Sequence, residues 1–333
     1  MSELIGHQNQ VAAFREAMDS GKLHHAWLLA GPRGVGKARF AQMAACRLLA
    51  EAAGPAVQLG GLDVDPAHPI AKLLEAGSHP DFKRLERLAK DSGTELARSI
   101  SIAQVRTLQG MFATTPSLSS RRVIIIDAID DLERSASNAL LKNLEEPPAG
   151  TVFLLISHAP GRLLPTIRSR CRMLRFAPLG DAEMQAALRA ALPEAEEGEV
   201  TSLAVAGEGA PGKAIGFAGL DIAGLDAAMT AIAAGGDPSN ALRAGLARSL
   251  ALKAAQMRYE AFLQRAPSFI ARAAQDRRGL ALADALQRWE QCRDLAASAI
   301  GLSLDTQTTV FEIGTLIAGL AETAEPESFR RAE

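Results

Sequence analysis

Residues 27–38 read Trp27-Leu28-Leu29-Ala30-Gly31-Pro32-Arg33-Gly34-Val35-Gly36-Lys37-Ala38, an apolar run that gives way to a glycine-rich turn and then to a helical pattern. In such a strand–turn–helix setting, glycines let backbone N–H groups fold around a β-phosphate at the helix N-terminus, and the lysine reaches the outer phosphates. A chance glycine turn seldom carries that spacing in that place. Gly31, Gly34, Gly36 and Lys37 are therefore read as a phosphate loop. The next position is equally informative: loops that hydrolyse a nucleotide place Ser or Thr there to bind Mg²⁺, and Ala38 has no hydroxyl.

Working outward, the run Val123-Ile124-Ile125-Ile126 ends in Asp127, and an acid at the carboxyl end of a buried strand beside a phosphate loop is where a metal-supporting aspartate sits. Asp127 fits that place; the plainer alternative is a helix cap or a surface acid at a strand end. The following residue, which would have to polarise an attacking water, is Ala128, and it cannot accept a proton. Asp130 is discounted as a substitute base because three residues on it should lie off the strand end. Ser157, after a further apolar run, stands where a polar side chain could sense a γ-phosphate. Buried strands are expected at 26–30, 123–126, 152–156 and 173–176, with a weaker one at 81–85. Helices separate them, one over 37–52 and another opening at the capping-box pattern Ser101-Ile102-Ala103-Gln104. Repeated βα units predict an α/β fold built on a parallel five-stranded, doubly wound sheet.

Composition agrees with an ordinary globular chain. The 333 residues are 48% hydrophobic, enough for two or three domains. A formal charge of −2 leaves no large positive field to draw the whole molecule to nucleic acid. The three cysteines, Cys46, Cys171 and Cys292, are far apart, which argues against a disulfide framework and for a reducing compartment. With no secretory pattern at the start and no long uncharged apolar run, the expected location is the cytoplasm, away from membranes.

Between 54 and 80 the chain reads as a glycine- and proline-rich loop. After about Pro178 everything reads as helix, first as three short segments at 181–192, 196–206 and 212–218. Longer stripes follow: Leu242, Leu246, Leu250 and Met257, then Leu282, Leu286, Trp289 and Ala296, then Val310, Ile313, Ile317 and Leu320. A plain helical bundle that buries these stripes is the simplest account.

A basic cluster, Arg168-Ser169-Arg170-Cys171-Arg172, flanked by Arg162 and Arg175, follows the fourth expected strand. It is either a solvated face or a source of an arginine offered to a neighbouring molecule's phosphates. Together with Ser135–Pro148, reading SASNALLKNLEEPP, with HHAWLLAGPRGVGK at 24–37 and with Gly77-Ser78-His79-Pro80-Asp81-Phe82, it resembles the AAA+ subunits of bacterial clamp loaders. The likeness is dense over 24–176 and architectural beyond. The departures at Ala38 and Ala128 make the chain similar to the non-hydrolysing member of that family and not to its gamma/tau motor.

The resemblance implies an AAA+ phosphate-loop domain over 1–177, a small helical lid over 178–220 and an all-α collar over 221–333. It implies a stator in a five-member ring with delta and gamma/tau subunits, a ring that opens a sliding clamp and loads it on primed DNA. Arg170 would then be an arginine finger in trans, and Gly31, Gly34, Gly36, Lys37 and Asp127 a vestigial nucleotide site. No cofactor is required, although residual ATP or ADP binding stays open, and Lys213 is the basic residue nearest to the place of the family's lid arginine. Many relatives carry a four-cysteine zinc module where this chain has 54–79. That stretch has no cysteine, and His68 and His79 alone cannot close a tetrahedral site, so no metal and no zinc is expected. Two other readings remain open: an active ATPase of the gamma/tau type, and a regulatory nucleotide-binding module.

Overall fold

A computed structural model describes residues 4–89 and 96–321. The chain falls into two compact units, one running to Ala195 and taking in Gly207–Ile215, the other made of Glu196–Ala206 and the chain from Gly216 onward.

In the first unit the expected strands form within one residue of their predicted ends. They are β1 (Ala26–Ala30), β2 (Phe82–Glu86), β3 (Arg122–Asp127), β4 (Thr151–Ser157) and β5 (Arg172–Arg175). All pair in parallel in the order β2-β3-β4-β1-β5. The sheet is covered by α1 (Gln8–Asp19), α2 (Lys37–Ala52), α3 (Pro69–Glu75), α4 (Ile102–Phe112), α5 (Arg134–Glu145) and the single turn α6 (Pro165–Arg168), and the unit also contains α7 (Asp181–Ala191). Strand alternation sorts the core into two layers. Trp27, Leu29, Val123, Ile125, Leu154 and Ile156 pack with Phe14 of α1 and Phe40 of α2, whereas Leu28, Ile124, Ile126, Phe153 and Leu155 pack with Val105, Leu108, Leu140 and Leu144 of α4 and α5. Burial on both faces is why these strands are continuous apolar runs without polar alternation. The expected α/β fold with a parallel five-stranded sheet is what forms, followed by a helical region.

The stretch 54–80 departs from its reading as loop, because α3 forms inside it. Pro69 occupies the first turn, the His68 ring accepts from the Ile70 N–H, and Ile70, Ala71 and Leu74 are buried. Proline at the first helical position sacrifices only an N–H that has no helical partner anyway.

The helical region continues with α8 (Glu197–Gly207), α9 (Pro211–Ile215), α10 (Ile222–Gly235), α11 (Ala241–Leu250), α12 (Gln256–Gln275), α13 (Gly279–Gly301) and α14 (Thr306–Ala318). The third expected stripe is the buried face of α14 and its end, with Val310, Ile313 and Ile317 fully covered. The first is broken: α11 ends at Leu250, a 3-10 turn spans Lys253–Ala255, and Met257 on α12 is exposed. On α13 the buried positions are Ala285, Cys292 and Ala299, and Leu286 faces solvent. Small residues one heptad apart let the long helix lie close to its neighbours, a contact that ranking residues by hydrophobicity overlooks.

Candidate functional site

At the carboxyl end of β1 the chain turns through Gly31–Gly36 into α2, which begins at Lys37 with Gly36 as its cap. Gly31 is required by proximity: a Cβ there would lie 2.2 Å from the Phe176 carbonyl oxygen. Gly34 sits at φ 83°, in the left-handed region. The Gly34 carbonyl accepts from the Gly212 N–H at 2.8 Å, and a Cβ on Gly34 would meet the Lys213 nitrogen at 2.7 Å, so α9 lies directly against the loop. From the other side, the His7 Nε2–H donates to the Val35 carbonyl at 2.8 Å, and the His7 ring meets Phe176 edge-on at 4.9 Å.

Lys37 is only 2% exposed. Its Nζ donates to the carbonyls of Gly31 at 2.6 Å and Pro32 at 2.5 Å, so the ammonium is turned back onto its own loop. Burial pushes its pKa down to about 8; the carboxylates of Asp127 and Asp130 oppose the shift and Arg33 adds to it.

Asp127 closes β3, and its Oδ2 accepts from Arg84 on the neighbouring strand β2 at 2.8 Å. Asp130 is not remote. The chain after Asp127 folds back through a 3-10 turn at Ile129–Asp131, and the Asp130 carboxylate takes the Ser157 hydroxyl at 2.9 Å and the backbone N–H groups of His158 and Ala159 at 2.7 and 3.1 Å. It is a satisfied hydrogen-bond acceptor at the end of β4. Ser157 is correspondingly fully buried, with its hydroxyl committed to Asp130. His158, which sequence reasoning did not single out, lies in the same cluster. Burial lowers its pKa, as do the charges of Lys37 and Arg33, against Asp130 and Asp127.

Two of the groups that a hydrolysing phosphate loop uses are missing from this arrangement. The two positions that would supply a metal hydroxyl and a water-polarising carboxylate are Ala38 and Ala128, the nearby carboxylates are held by Arg84 or by the end of β4, and Lys37 is bonded to carbonyl oxygens. Lys213, on α9, pairs with Glu208 at 2.6 Å.

Arg170 stands in the short connection between α6 and β5. Its Nη1 donates to the Thr166 carbonyl at 2.9 Å, and its Nη2 pairs with Glu145 Oε1, at the end of α5, at 2.8 Å. About a third of the side chain is open to solvent. Arg162 and Arg168 are also exposed, and Arg172 lies over the Trp27 ring at 5.0 Å. Sequence pattern had singled out the arginine but not its carboxylate partner, although Glu145 lies in the same quoted LEEPP stretch.

His68 and His79 serve backbone geometry: the Nδ1 of each accepts a neighbouring N–H, from Ile70 and Asp81 respectively. Among the described residues no group of three or more His, Cys, Asp or Glu is placed to hold a metal ion, and no helix is long and apolar enough to cross a membrane.

The chain is 39% identical over 188 residues to DNA polymerase III subunit delta' of Pseudomonas aeruginosa, covering 56% of this chain and 53% of that protein. It is 36% identical over 163 residues to subunit delta' of Bacillus subtilis, covering 49% and 45%. It thus spans about half the length of the curated relatives it matches. Among solved structures, a gamma subunit-related protein of DNA polymerase III from Thermotoga maritima is 16% identical, with 93% of this chain and 99% of that one covered and a TM-score of 0.40. The family model described as DNA polymerase III, delta subunit, matches residues 6–180, more than half of the 333. Its match takes in the glycine loop, Asp127, the LEEPP stretch and Arg170, and the chain belongs to this family of DNA polymerase III delta subunits.

Proposed function

We propose that the chain acts as a delta'-type stator of a clamp loader: it hydrolyses no ATP itself, needs no nucleotide of its own and lends Arg170 to the ATP site of an adjacent gamma/tau subunit. The ring would also contain delta, and would act on the sliding clamp and primed DNA. The observation that carries this reading is the contrast between the two charged sites. The phosphate loop lacks both hydrolytic side chains and has its lysine turned onto the Gly31 and Pro32 carbonyls, whereas the Arg170 guanidinium is anchored at the surface with an edge open. Preorganised positive charge aimed at a developing phosphate charge is worth about 2–4 kcal/mol per donor.

The expected result for the free chain is no phosphate release above background, with or without primed DNA, and no heat on calorimetric titration with ATP. In a reconstituted complex, Arg170→Ala should slow hydrolysis by the neighbouring subunit roughly 30- to 1000-fold, the rate equivalent of that range. Turnover by the free chain, or unchanged hydrolysis in the complex, rejects the reading.

A further inference from the structure

The carboxylate that meets the exposed arginine has no place in the reading above. Arg170 carries five N–H donors in a planar fork. One, on Nη1, goes to the Thr166 carbonyl one turn back along its own chain, and the Nη2 end forms an ion pair with Glu145, on a different element, at 2.8 Å. Among the described residues the fork has no further partner, and 34% of the side-chain surface is open to an outside anion. Two anchors on two elements restrict a side chain that would otherwise lose substantial rotamer freedom on being ordered in a complex.

Glu145 is well suited to aim the group without cancelling it. It is the last residue of α5, whose position is set by buried Ala136, Leu140 and Leu144. Its own side chain is 48% exposed. Solvent therefore screens its charge, and the pair is of the exposed kind that holds geometry at small energy. An incoming phosphate, more highly charged and able to take several donors of the fork, competes with such a carboxylate easily.

We infer that Glu145 is the positioning residue for Arg170, holding the guanidinium preordered for a phosphate offered by a neighbouring subunit. This rests on the proposal that Arg170 acts in trans. Glu145 touches neither nucleotide nor reacting atoms; it acts only through Arg170.

The test uses the reconstituted clamp-loader complex with primed DNA and clamp, measuring kcat and KM for ATP. Glu145→Ala should lower kcat by about 2- to 5-fold, the rate equivalent of an exposed ion pair, and leave KM unchanged. Glu145→Asp, which keeps the charge of the ion pair, should fall nearer to wild type than Glu145→Gln, which removes it. In the Arg170→Ala background, Glu145→Ala should have no further effect. If Arg170→Ala itself changes nothing, the trans reading fails. If Arg170→Ala slows hydrolysis while Glu145→Ala does not, or if Glu145→Ala slows it equally in both backgrounds, the reading stands and the positioning role is overturned. A rise in kcat for Glu145→Ala would also overturn it, since the carboxylate would then restrain the finger.

Discussion

Lys37 shows how one residue's meaning depends on what surrounds it. The glycine spacing and the lysine were legible because phosphate loops are local in sequence. The direction taken by the ammonium was not, because it depends on carbonyls of the loop and on the carboxylates of Asp127 and Asp130 brought close by β3. A lysine whose folded pKa lies below its ordinary 10.5 binds its proton less well in the fold than in the unfolded chain. It therefore destabilises the fold below about pH 8, and that penalty is relieved as the pH rises from about 8 towards 10.5. Relative to Lys37→Met, the wild-type chain should gain stability across that window, at most roughly 3 kcal/mol. Urea unfolding of both proteins at several pH values reads this difference directly; a difference that stays flat would show that the buried ammonium is fully compensated. Ser157 and Asp130 make the same point. Each was judged against a nucleotide, and each is the other's hydrogen-bond partner once the 3-10 turn after β3 folds back.

At the scale of elements, local signals performed well where they were self-contained. The capping box opening α4 forms with Ser101 and Gln104 in reciprocal contact, as its spacing required. The Gly77–Phe82 stretch, met first as part of a resemblance, has a structural explanation. Asp81 is 1% exposed and accepts the N–H groups of Ser117 at 2.7 Å and Leu118 at 2.8 Å, fastening the segment before β3 to the start of β2. Hydrogen bonds to a charged acceptor contribute about 1.5–3 kcal/mol each, and Asp81→Ala would leave both donors without it. The variant should lose about 3 kcal/mol in urea unfolding, and its Ser117 and Leu118 amides should exchange hydrogen faster than in the wild type. Unaltered exchange there would mean that the segment is held by other contacts. Helical stripes were less dependable. On α13, exposed Leu286 and buried Ala285 and Cys292 reverse the order that hydrophobicity suggests, because close helix approach selects small residues.

For the whole molecule, charge is the property that most limits function. Basic and acidic residues nearly cancel over the chain, 36 against 38, so no overall positive field favours the counterion release that drives non-specific nucleic-acid binding. The free chain should therefore show little affinity for primed DNA in fluorescence anisotropy at moderate salt, in contrast to the complex it is proposed to join. Tight, salt-sensitive binding by the chain alone would require a basic surface that the overall balance conceals. The sequence by itself determined the phosphate loop, the five strands, the loss of hydroxyl and carboxylate at Ala38 and Ala128, and the candidate arginine. These depend on residue type and on spacing along one or two elements. Only the tertiary structure decided that Lys37 turns onto its own loop, that Gly212 bonds to Gly34, that Asp130 and Ser157 satisfy each other, and that Glu145 meets Arg170. The last three of these contacts join elements distant in the chain, and no local periodicity encodes which polar group a buried or half-buried side chain will find across a fold.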